Sequence, residues 1–439
     1  MIDTSPEEGA PRGRRRAVAL VAGLWSNPFL REAAGFGSST VLEQVSRVGT
    51  GLVAAAVLGP TVWGSWYLLN LVIRYGALAH LGAVNGMNRE VPAATGRGNA
   101  VMADLARRNA FGFMLLSYVA LCGMIAVLAL VLGHRLPLVE LFMTLALLGA
   151  HQTYSFAATY FKASTRFGLV SRLQAASAIV FPLAAIPGAL LGGLPGFILG
   201  QVITYAILSM LAGRIDRRTY QAALDHAVVR SLIRIGFPIM LVGVIHALLT
   251  TTDRWVIVLS LGQEPLGHYS LAIMAVGALQ LVPMVFAQQV YPRMAHAWGA
   301  TRDSSLLREL ASRQARLALG AVAALVVPTA LLAPTLVRTL LPAYEPGIGA
   351  LLVSLVGPLI AVIGQGFGNI LNVIDRQGVY LGLVAGAIAV NLVVSLLLVG
   401  PFGLIGVSVG TITGTTFLAA GLLVAGTTEL RRASAPVDA

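Results

Sequence analysis

Charged residues are scarce in this chain of 439 residues: Asp, Glu, Lys and Arg make up 11% of it, against 57% hydrophobic types. A soluble globular domain carries about a quarter charged residues, and the mean hydropathy here is +0.81. So few charges cannot cover a water-facing surface. The composition therefore excludes a soluble enzyme, a secreted disulfide-linked module and a disordered protein, and it favours a membrane protein with many spans.

Cysteine is almost missing as well. Cys122 is the single one, so no disulfide can form within the chain and no cysteine-based metal site can be built. The sequence also shows no P-loop, no paired carboxylates beside a nucleophile and no histidine-rich cluster. An ATP-driven pump and an intramembrane hydrolase are therefore disfavoured, and no cofactor is expected.

Long apolar runs fill most of the chain. A helical span takes about 20 apolar residues, and most of the runs are long enough and poor enough in charge to favour helices over barrel strands. The pattern predicts an all-α polytopic membrane protein with about 12 transmembrane helices. The predicted spans are 36–58, 62–88, 109–132, 136–160, 169–191, 194–213, 236–260, 265–291, 313–333, 346–374, 378–399 and 402–427.

Basic residues fall almost entirely on one side of this arrangement. Of 30 Lys and Arg residues, 25 lie in the two tails and in the loops that follow even-numbered spans. Only Arg135 and Arg338 lie on the other side, while Arg47, Arg74 and Arg254 fall inside spans. Positive loops stay cytoplasmic, so both ends are predicted to be cytoplasmic. Topology thus accounts for the net charge of +12, and the expected partners are membrane lipids rather than nucleic acid.

The turn after the first span recurs after the seventh. Residues 58–68 and 261–271 match at an offset of 203, which aligns Gly59 with Gly262 and Gly64 with Gly267. Six spans are an even number, so the halves are predicted to be parallel repeats that enclose a central cavity and rock to alternate access. The predicted divisions are a basic tail 1–35, a first bundle 36–213, a linker 214–235, a second bundle 236–428 and a tail 429–439.

Polar residues inside the spans form stripes at helical spacing. Ionisable groups in hydrocarbon normally face a cavity or a partner, so the stripes predict a hydrated cavity between the halves. At the offset of 203, Glu43 aligns with His246 and Thr50 aligns with Asp253. The polar stripes of the first and seventh spans are therefore pseudo-equivalent. The stripes comprise Ser39, Glu43, Arg47 and Thr50; Asn70, Arg74, Asn85 and Asn88; His246, Thr250 and Asp253; and Gln365, Asn369 and Asn372.

Simpler explanations stay open for several of these residues. Glu43 and Arg47 are four residues apart and could neutralise each other. His246 could be a packing residue, and Arg254 could extend to the outer interface of the membrane. Arg74 resists such an explanation, since no acid lies one helical turn away and a guanidinium matches phosphate geometry.

Two hairpins carry a family resemblance. The first contains Leu58-Gly59-Pro60, Gly64, Leu81-Gly82 and Asn88-Arg89; the second contains Gly236-Phe237-Pro238, Asp253-Arg254, Leu261-Gly262, residues 266–272 and Tyr291-Pro292-Arg293. In these segments the chain resembles bacterial polysaccharide and O-antigen flippases of the multidrug/oligosaccharidyl-lipid/polysaccharide exporter superfamily. The resemblance implies two six-helix bundles in a V and transfer of undecaprenyl-diphosphate-linked sugars to the outer leaflet. His80 stands where many relatives carry an acidic residue.

The sequence and the resemblance together predict a transporter of the bacterial inner membrane rather than an enzyme. Its cargo would be a lipid-linked oligosaccharide for cell-surface polysaccharide such as O-antigen, lipopolysaccharide or exopolysaccharide, and a polysaccharide polymerase and glycosyltransferases are candidate partners. Arg47 and Arg74 would attract the diphosphate. Glu43, His246 and Asp253 could carry a proton or sodium ion. Amides would bind sugar hydroxyls, namely Asn70, Asn85, Gln365, Asn369 and Asn372.

A multidrug/cation antiporter of the same superfamily is the alternative. Cationic cargo needs acidic cavity residues, and in the stripes the arginines balance or outnumber the acids. A membrane scaffold in a glycan-assembly complex is a third possibility. A membrane glycosyltransferase would need catalytic carboxylates and a sizeable domain outside the membrane, which the short basic loops do not provide.

Overall fold

The computed structural model describes residues 28–132 and 138–434, and within these ranges the chain forms helices and no strand. The helices are α1 (Pro28–Gly76), α2 (Ala83–Gly96), α3 (Ala100–Leu132), α4 (Leu138–Ala163), α5 (Phe167–Ile215), α6 (His226–Leu249), α7 (Thr252–Ser260), α8 (Gln263–Leu279), α9 (Leu281–Thr301), α10 (Ser304–Leu340), α11 (Ile348–Ser354), α12 (Val356–Val373) and α13 (Gln377–Ser434). A 3₁₀ turn, Pro342–Gly347, precedes α11.

Three long helices reverse direction at a glycine. Gly59 in α1 (φ 74°), Gly193 in α5 (φ 59°) and Gly403 in α13 (φ 54°) leave the helical region, in a conformation that glycine alone adopts without strain. Gly200 then lies against the backbone of Ala184, which shows that the two legs of α5 are antiparallel. The reversals at Gly59 and Gly193 fall in gaps predicted between consecutive spans, whereas Gly403 is the second residue of the predicted span 402–427.

The predicted all-helical membrane fold is confirmed. Within the described residues, eight helical segments are long and apolar enough to cross a membrane, judged by length and composition. With α1, α5 and α13 divided at their glycine turns, the described residues form seven helical segments before residue 216 and nine after residue 225, in addition to the 3₁₀ turn. The number of membrane crossings and the cytoplasmic position of both ends stay predictions. Below, the outer end is the end with the Gly59 turn, and the inner end is the opposite one.

The connection between the halves is shorter than predicted. Helix α5 ends at Ile215 and α6 begins at His226, where the Asp225 carboxylate caps it by accepting from the amides of Ala227 and Val228. The residues after 225 in the predicted linker 214–235 are therefore helical, and so are residues 429–434 of the predicted C-terminal tail. The basic N-terminal tail up to residue 27, Arg135 and residues 435–439 lie outside the described residues.

The linker 216–225 is docked onto the first bundle. Arg107 on α3 is 1% exposed and donates to the carbonyl oxygens of Arg218 and Thr219. Its guanidinium also pairs with Asp104 and lies 5.6 Å from the centre of the Tyr160 ring. Since both carbonyls belong to the linker, the linker is structurally part of the first bundle.

The outer ends of the halves pack through a reciprocal contact. Gly64 on α1 lies against the carbonyl of Gln263, and Gly267 on α8 lies against the carbonyl of Pro60. The offset of 203 relates Gly64 to Gly267 and Pro60 to Gln263, so a pseudo-twofold axis exchanges the two contacts, as at an isologous interface. The Tyr344 hydroxyl adds a bond of 2.9 Å to the Ala55 carbonyl. The outer end is therefore closed.

The inner end is closed along one side only. The second leg of α1 and its continuation α2 pack on α6, with Gly82 against Gly236 and Gly86 against the Leu232 carbonyl. The symmetry counterpart would be packing of the first leg of α1 on α9. In the described residues these two elements have no extensive contact, and Val45 on that leg is 62% exposed. The halves therefore diverge there toward the inner end.

Candidate functional site

Two arginines face each other across the seam between the halves. Arg74 on α1 donates from Nη2 to the Thr250 hydroxyl at 2.6 Å. Arg254 on α7 places its guanidinium carbon 5.7 Å from the centre of the Tyr67 ring, back on α1. The Nε atom of each arginine is buried and has no hydrogen-bond partner in the described structure. We call Arg74 and Arg254 the seam arginines.

Positive charge exceeds negative charge around the seam arginines. Arg74 interacts electrostatically with both Arg254 and Asp253, so two guanidinium groups share the field of one carboxylate in this described region. A buried N–H without a partner costs about 1–3 kcal/mol. An anionic oxygen between the two helices would both satisfy these donors and offset the charge.

Three of the predicted residues lie near the seam arginines or on the same leg. Asn70 is half-buried, one helical turn outward from Arg74 on α1. His246 is exposed one turn inward from Thr250, and its ring interacts electrostatically with Arg74. Asn85 is half-buried in α2, beyond the break that separates α2 from α1. Arg74, Asn70 and His246 therefore come together at the seam, while Asn85 lies further inward.

A second polar cluster lies inside the first bundle. Arg47 pairs with Glu43 at 2.8 Å and donates to the Tyr205 hydroxyl at 2.9 Å. The Ser177 hydroxyl donates to the same Glu43 oxygen at 2.9 Å, and the Phe181 ring centre is 5.0 Å from the Arg47 guanidinium. All of these partners come from α1 and α5. Contrary to the sequence prediction, Glu43 and Arg47 face the interior of one bundle and not the space between the halves.

Buried polar atoms without partners surround this cluster. The His151 ring meets the Tyr205 ring edge-on at 4.9 Å between centres, and its Nδ1 has no partner in the described structure. The side-chain oxygen of Thr50 and the side-chain nitrogen of Gln201 also lack a hydrogen-bond partner in the described structure. Ser39, at the inner end of the predicted stripe, has a partner, since its hydroxyl donates to Gln174 at 3.0 Å. The interior of the first bundle is therefore polar enough to hold water.

Asp253 faces the second bundle. Its Oδ1 accepts the amide of Arg254 at 2.8 Å, and its carboxylate lies against the Tyr269 hydroxyl on α8. Tyr269 in turn interacts with the hydroxyls of Ser354 and Thr411. Each bundle thus holds one of the predicted ion-coupling acids among hydroxyl groups, Glu43 in the first and Asp253 in the second.

The predicted amides of the tenth span lie on α12. Asn369 donates to Gln314 on α10 at 3.4 Å, a contact within the second bundle. The side-chain oxygen of Gln365 is buried without a partner in the described structure, and Asn372 is half-buried. The structure does not bring these amides to the seam arginines in its closed outer arrangement.

The sequence pattern did not indicate Arg254 as a member of the site. It left open an extension of this residue to the membrane interface, whereas in the structure the residue lies over Tyr67 in the seam. A signal was present: Arg254 is four residues after Thr250, the residue that contacts Arg74. Only the pairing of α1 with α6 and α7 shows that both face the same neighbour.

The class of protein follows from these features and from comparison with solved structures. The chain is a helical membrane protein with the fold of transporters of the MOP superfamily. A multidrug resistance MATE family transporter of that superfamily, in its inward-facing conformation, is 14% identical, with a TM-score of 0.72 over 90% of this chain and 96% of the other. A structure of a multidrug resistance MATE family transporter in the outward-facing conformation has a TM-score of 0.66 and 15% identity, over 92% of this chain and 96% of the other. A MOP superfamily transporter from Pyrococcus furiosus has a TM-score of 0.64 and 12% identity, again over 92% of this chain and 96% of the other.

A protein-family comparison narrows this class. The profile of a family described as polysaccharide biosynthesis protein matches residues 105–298. The matched segment contains the second of the two hairpins that resemble polysaccharide flippases, and together with the fold it supports that resemblance. A comparison with curated proteins gives no match.

Proposed function

We propose that the protein is a flippase that moves a lipid-linked oligosaccharide, joined through an undecaprenyl diphosphate, across the bacterial inner membrane for cell-surface polysaccharide synthesis. The observation that carries the proposal is the pair of seam arginines, each with a buried Nε that lacks a partner in the described structure. The family match and the transporter fold support the same function.

The seam arginines suit a diphosphate. Guanidinium groups present a planar fork of donors that matches phosphate oxygens, and Arg74 and Arg254 come from opposite halves of the molecule. A diphosphate bound by both would bridge the halves. Asn70, one turn from Arg74, is in position to hydrogen-bond the first sugar. Arg47 is already engaged by Glu43 and Tyr205, so the proposed role of phosphate ligand passes from Arg47 to Arg254.

The one-sided opening suits a cargo with a lipid tail. The first leg of α1 and α9 diverge toward the inner end, where Val41 and Val45 are 44% and 62% exposed. A headgroup could enter there while its apolar tail stays in the hydrocarbon, which avoids the cost of moving the tail into water. The TM-score to the inward-facing transporter, 0.72, against 0.66 for the outward-facing one, fits an arrangement that receives cargo from the inner side.

Glu43 is the proposed coupling acid of the first bundle. Its carboxylate holds Arg47 and accepts from Ser177, so a proton on Glu43 would weaken the hold on Arg47 and change the packing of α1 against α5. Asp253 would play the corresponding role beside Tyr269 in the second bundle, with a proton or sodium ion as the coupling ion. His246, exposed beside Arg74, would respond to the charge of the bound cargo.

The arginine proposal is tested by transport in proteoliposomes that contain a fluorescent polyprenyl-diphosphate sugar. We expect Arg74→Gln and Arg254→Gln each to lower the flipping rate by about tenfold or more, because a charge-assisted hydrogen bond contributes about 1.5–3 kcal/mol. Arg230→Gln is the matched control, since Arg230 is an exposed arginine on α6 away from the seam. Control-level flipping by both seam variants would refute the assignment.

The coupling proposal needs a separate readout. Glu43→Gln should abolish the response of flipping to an imposed proton or sodium gradient while cargo exchange without a gradient continues. Glu43→Asp, which keeps the carboxylate, should retain part of the response. An unchanged gradient response in Glu43→Gln would remove Glu43 from the coupling mechanism and leave the cargo assignment intact.

A multidrug/cation antiporter is the second candidate, because a solved structure of this fold is titled as a multidrug resistance transporter. The positive surplus at the seam argues against a cationic cargo. The structure from Pyrococcus furiosus is titled as having a binding pocket of reverse polarity that suggests a different function, so pocket charge differs among proteins of this fold. Cells that lack the gene should show altered surface glycan and unchanged susceptibility to cationic drugs; the reverse result would favour the antiporter.

Partners are proposed on the same chemistry. A flippase for a lipid-linked repeat receives its cargo from glycosyltransferases and delivers it to a polysaccharide polymerase. Co-purification of such enzymes after crosslinking in native membranes would support these contacts.

A further inference from the structure

A large groove lies on the outer half of the first bundle, and neither of the seam arginines lines it. It has a volume of about 1120 Å³ and is lined mainly by apolar side chains. Legs of α1 and α5, the start of α4, and Trp255 on α7 form its walls. Val62 and Leu190 at its mouth are 37% and 63% exposed. The site proposed for transport does not include this groove.

The groove has the depth of one membrane leaflet. Along α1 its lining runs from Val62, beside the outer turn, to Tyr75, a rise of about 20 Å at 1.5 Å per residue. One leaflet of a bilayer contributes about 15 Å of hydrocarbon. The length of the groove along α1 is therefore of the same order as the hydrocarbon depth of one leaflet.

The hydroxyl of Tyr75 and the indole of Trp255 lie at the inner end of the groove, and its other polar side chains lie at the outer rim. Ser65 donates to the Gln263 side chain there at 2.9 Å, and Glu140, in the first turn of α4, lines the same end. Further in, the lining consists of Leu68, Leu69, Leu71 and Val72. This is the polarity of a lipid with its headgroup at the surface and its chain below.

The charge at the rim selects among headgroups. Glu140 is the charged residue of the lining, and the described structure shows no ion pair for it. A carboxylate at the headgroup level attracts an ammonium group and repels a phosphate that lacks one. An anionic or diphosphate lipid is therefore disfavoured, and an amine-bearing phospholipid is favoured.

The floor of the groove is the outer face of the seam between the halves. The Tyr75 hydroxyl lies 2.6 Å from that of Thr251, and the Trp255 indole donates to Tyr75 at 3.3 Å. Thr250, the residue before Thr251, accepts a hydrogen bond from Arg74. A lipid chain in the groove would therefore pack directly on the contacts that hold α1 to α7.

We propose that this groove binds one chain of an outer-leaflet phospholipid with an amine headgroup, held by Glu140 at the rim, and that the bound lipid supports the closed seam. The binding test uses native mass spectrometry of the detergent-solubilised full-length protein. Equal amounts of phosphatidylethanolamine and phosphatidylglycerol with identical chains are added. Preferential retention of phosphatidylethanolamine by the wild type is the expected result.

Two variants separate the chain from the headgroup. Val72→Trp fills the groove and should lower retention of both lipids, whereas Val393→Trp, at a 55% exposed valine on α13, is the matched control and should not. Glu140→Gln adds no volume and should remove the preference for the amine, by about threefold to fivefold for a partly exposed ion pair.

Three results would overturn the proposal. One is equal retention of the two lipids by the wild type. Another is equal retention by Val72→Trp and Val393→Trp when both are monodisperse. The third is stronger retention of a polyprenyl phosphate than of phosphatidylethanolamine in a direct competition, which would assign the groove to the cargo instead.

Discussion

Gly267 offers the most direct test of how the halves close. A Cβ at this position would lie 2.9 Å from the Cα of Pro60 and nearer still to its carbonyl, whereas ordinary contacts begin near 3.4 Å. Gly267→Ala must therefore push the outer ends of α1 and α8 apart. Overpacking of this kind costs about 1–3 kcal/mol. Because the cost falls on the closed outer end alone, it should shift the balance toward an outward-open state by about 5- to 150-fold.

Cysteine accessibility measures that shift. Cys122 is the single native cysteine, so Cys122→Ala gives a background without thiols. Met274→Cys then places a reporter below the outer contact, where Met274 packs near Gly51. A membrane-impermeant maleimide added from outside should label the reporter slowly in this background and faster, within the stated range, when Gly267→Ala is added.

The matched control is Gly277→Ala on the same helix, where a Cβ would meet nothing within 4 Å. It should leave the labelling rate unchanged. Gly64→Ala should act like Gly267→Ala, because the two glycines make reciprocal contacts across the pseudo-twofold axis. Equal labelling rates in Gly267→Ala and Gly277→Ala would refute the closed-end interpretation, and a strong effect of only one of the two contact glycines would refute the reciprocity.

Further predictions concern the inner end and the outer turn. Arg107→Ala should destabilise the protein by about 3 kcal/mol, because buried linker carbonyls lose a charged donor. The same variant should expose the linker to protease. The control Arg108→Ala, at a side chain that is 41% exposed, should change the melting temperature little. Burial alone would raise the pKa of Asp216, but hydrogen bonds from Arg166 and from the backbone lower it by a larger amount. The pKa of Asp216 therefore lies below its ordinary value. Its contribution to stability is therefore complete above about pH 4 and lost as the pH falls below that, so Asp216→Asn should flatten the acid side of a plot of melting temperature against pH; an unchanged acid side would contradict this. Tyr344→Phe removes the hydroxyl that donates to the buried Ala55 carbonyl and should lower stability by about 0.5–1.5 kcal/mol in thermal unfolding, and no loss would show that this hydrogen bond does not stabilise the outer contact.

The sequence was sufficient for the helices and their outer turns because both depend on local chemistry. Apolar runs must be helical in a membrane, and Gly59, Gly193 and Gly403 each stand where two predicted spans meet. The linker was overestimated for an equally local reason. Arg230 and Arg234 resemble loop charges, yet Asp225 caps a helix that already contains both.

The candidate site was only partly predictable, because stripe positions do not say which neighbour a stripe faces. Glu43 and Arg47 were correctly placed on one face of α1, but that face meets α5. For Arg254 the sequence left open an extension to the outer interface of the membrane, because its position on the helix does not say which neighbour it faces. Contacts between distant helices decide such cases, and a single sequence does not contain them.

The internal repeat shows why the proposed cargo site occupies one seam and not two. The offset of 203 relates Arg254 to Gly51 and Arg74 to Gly277. One seam therefore carries two arginines, while its symmetry counterpart carries two glycines, with Met274 packed near Gly51. Side chains of α1, α6 and α7 bridge the arginine seam, and α2 packs on α6 at its inner end, whereas the extensive packing at the glycine seam is that of α1 on α8. Equivalent helices thus have different proposed roles: one seam would bind the anionic headgroup, and the other, which carries glycines at the corresponding positions, would separate to admit it.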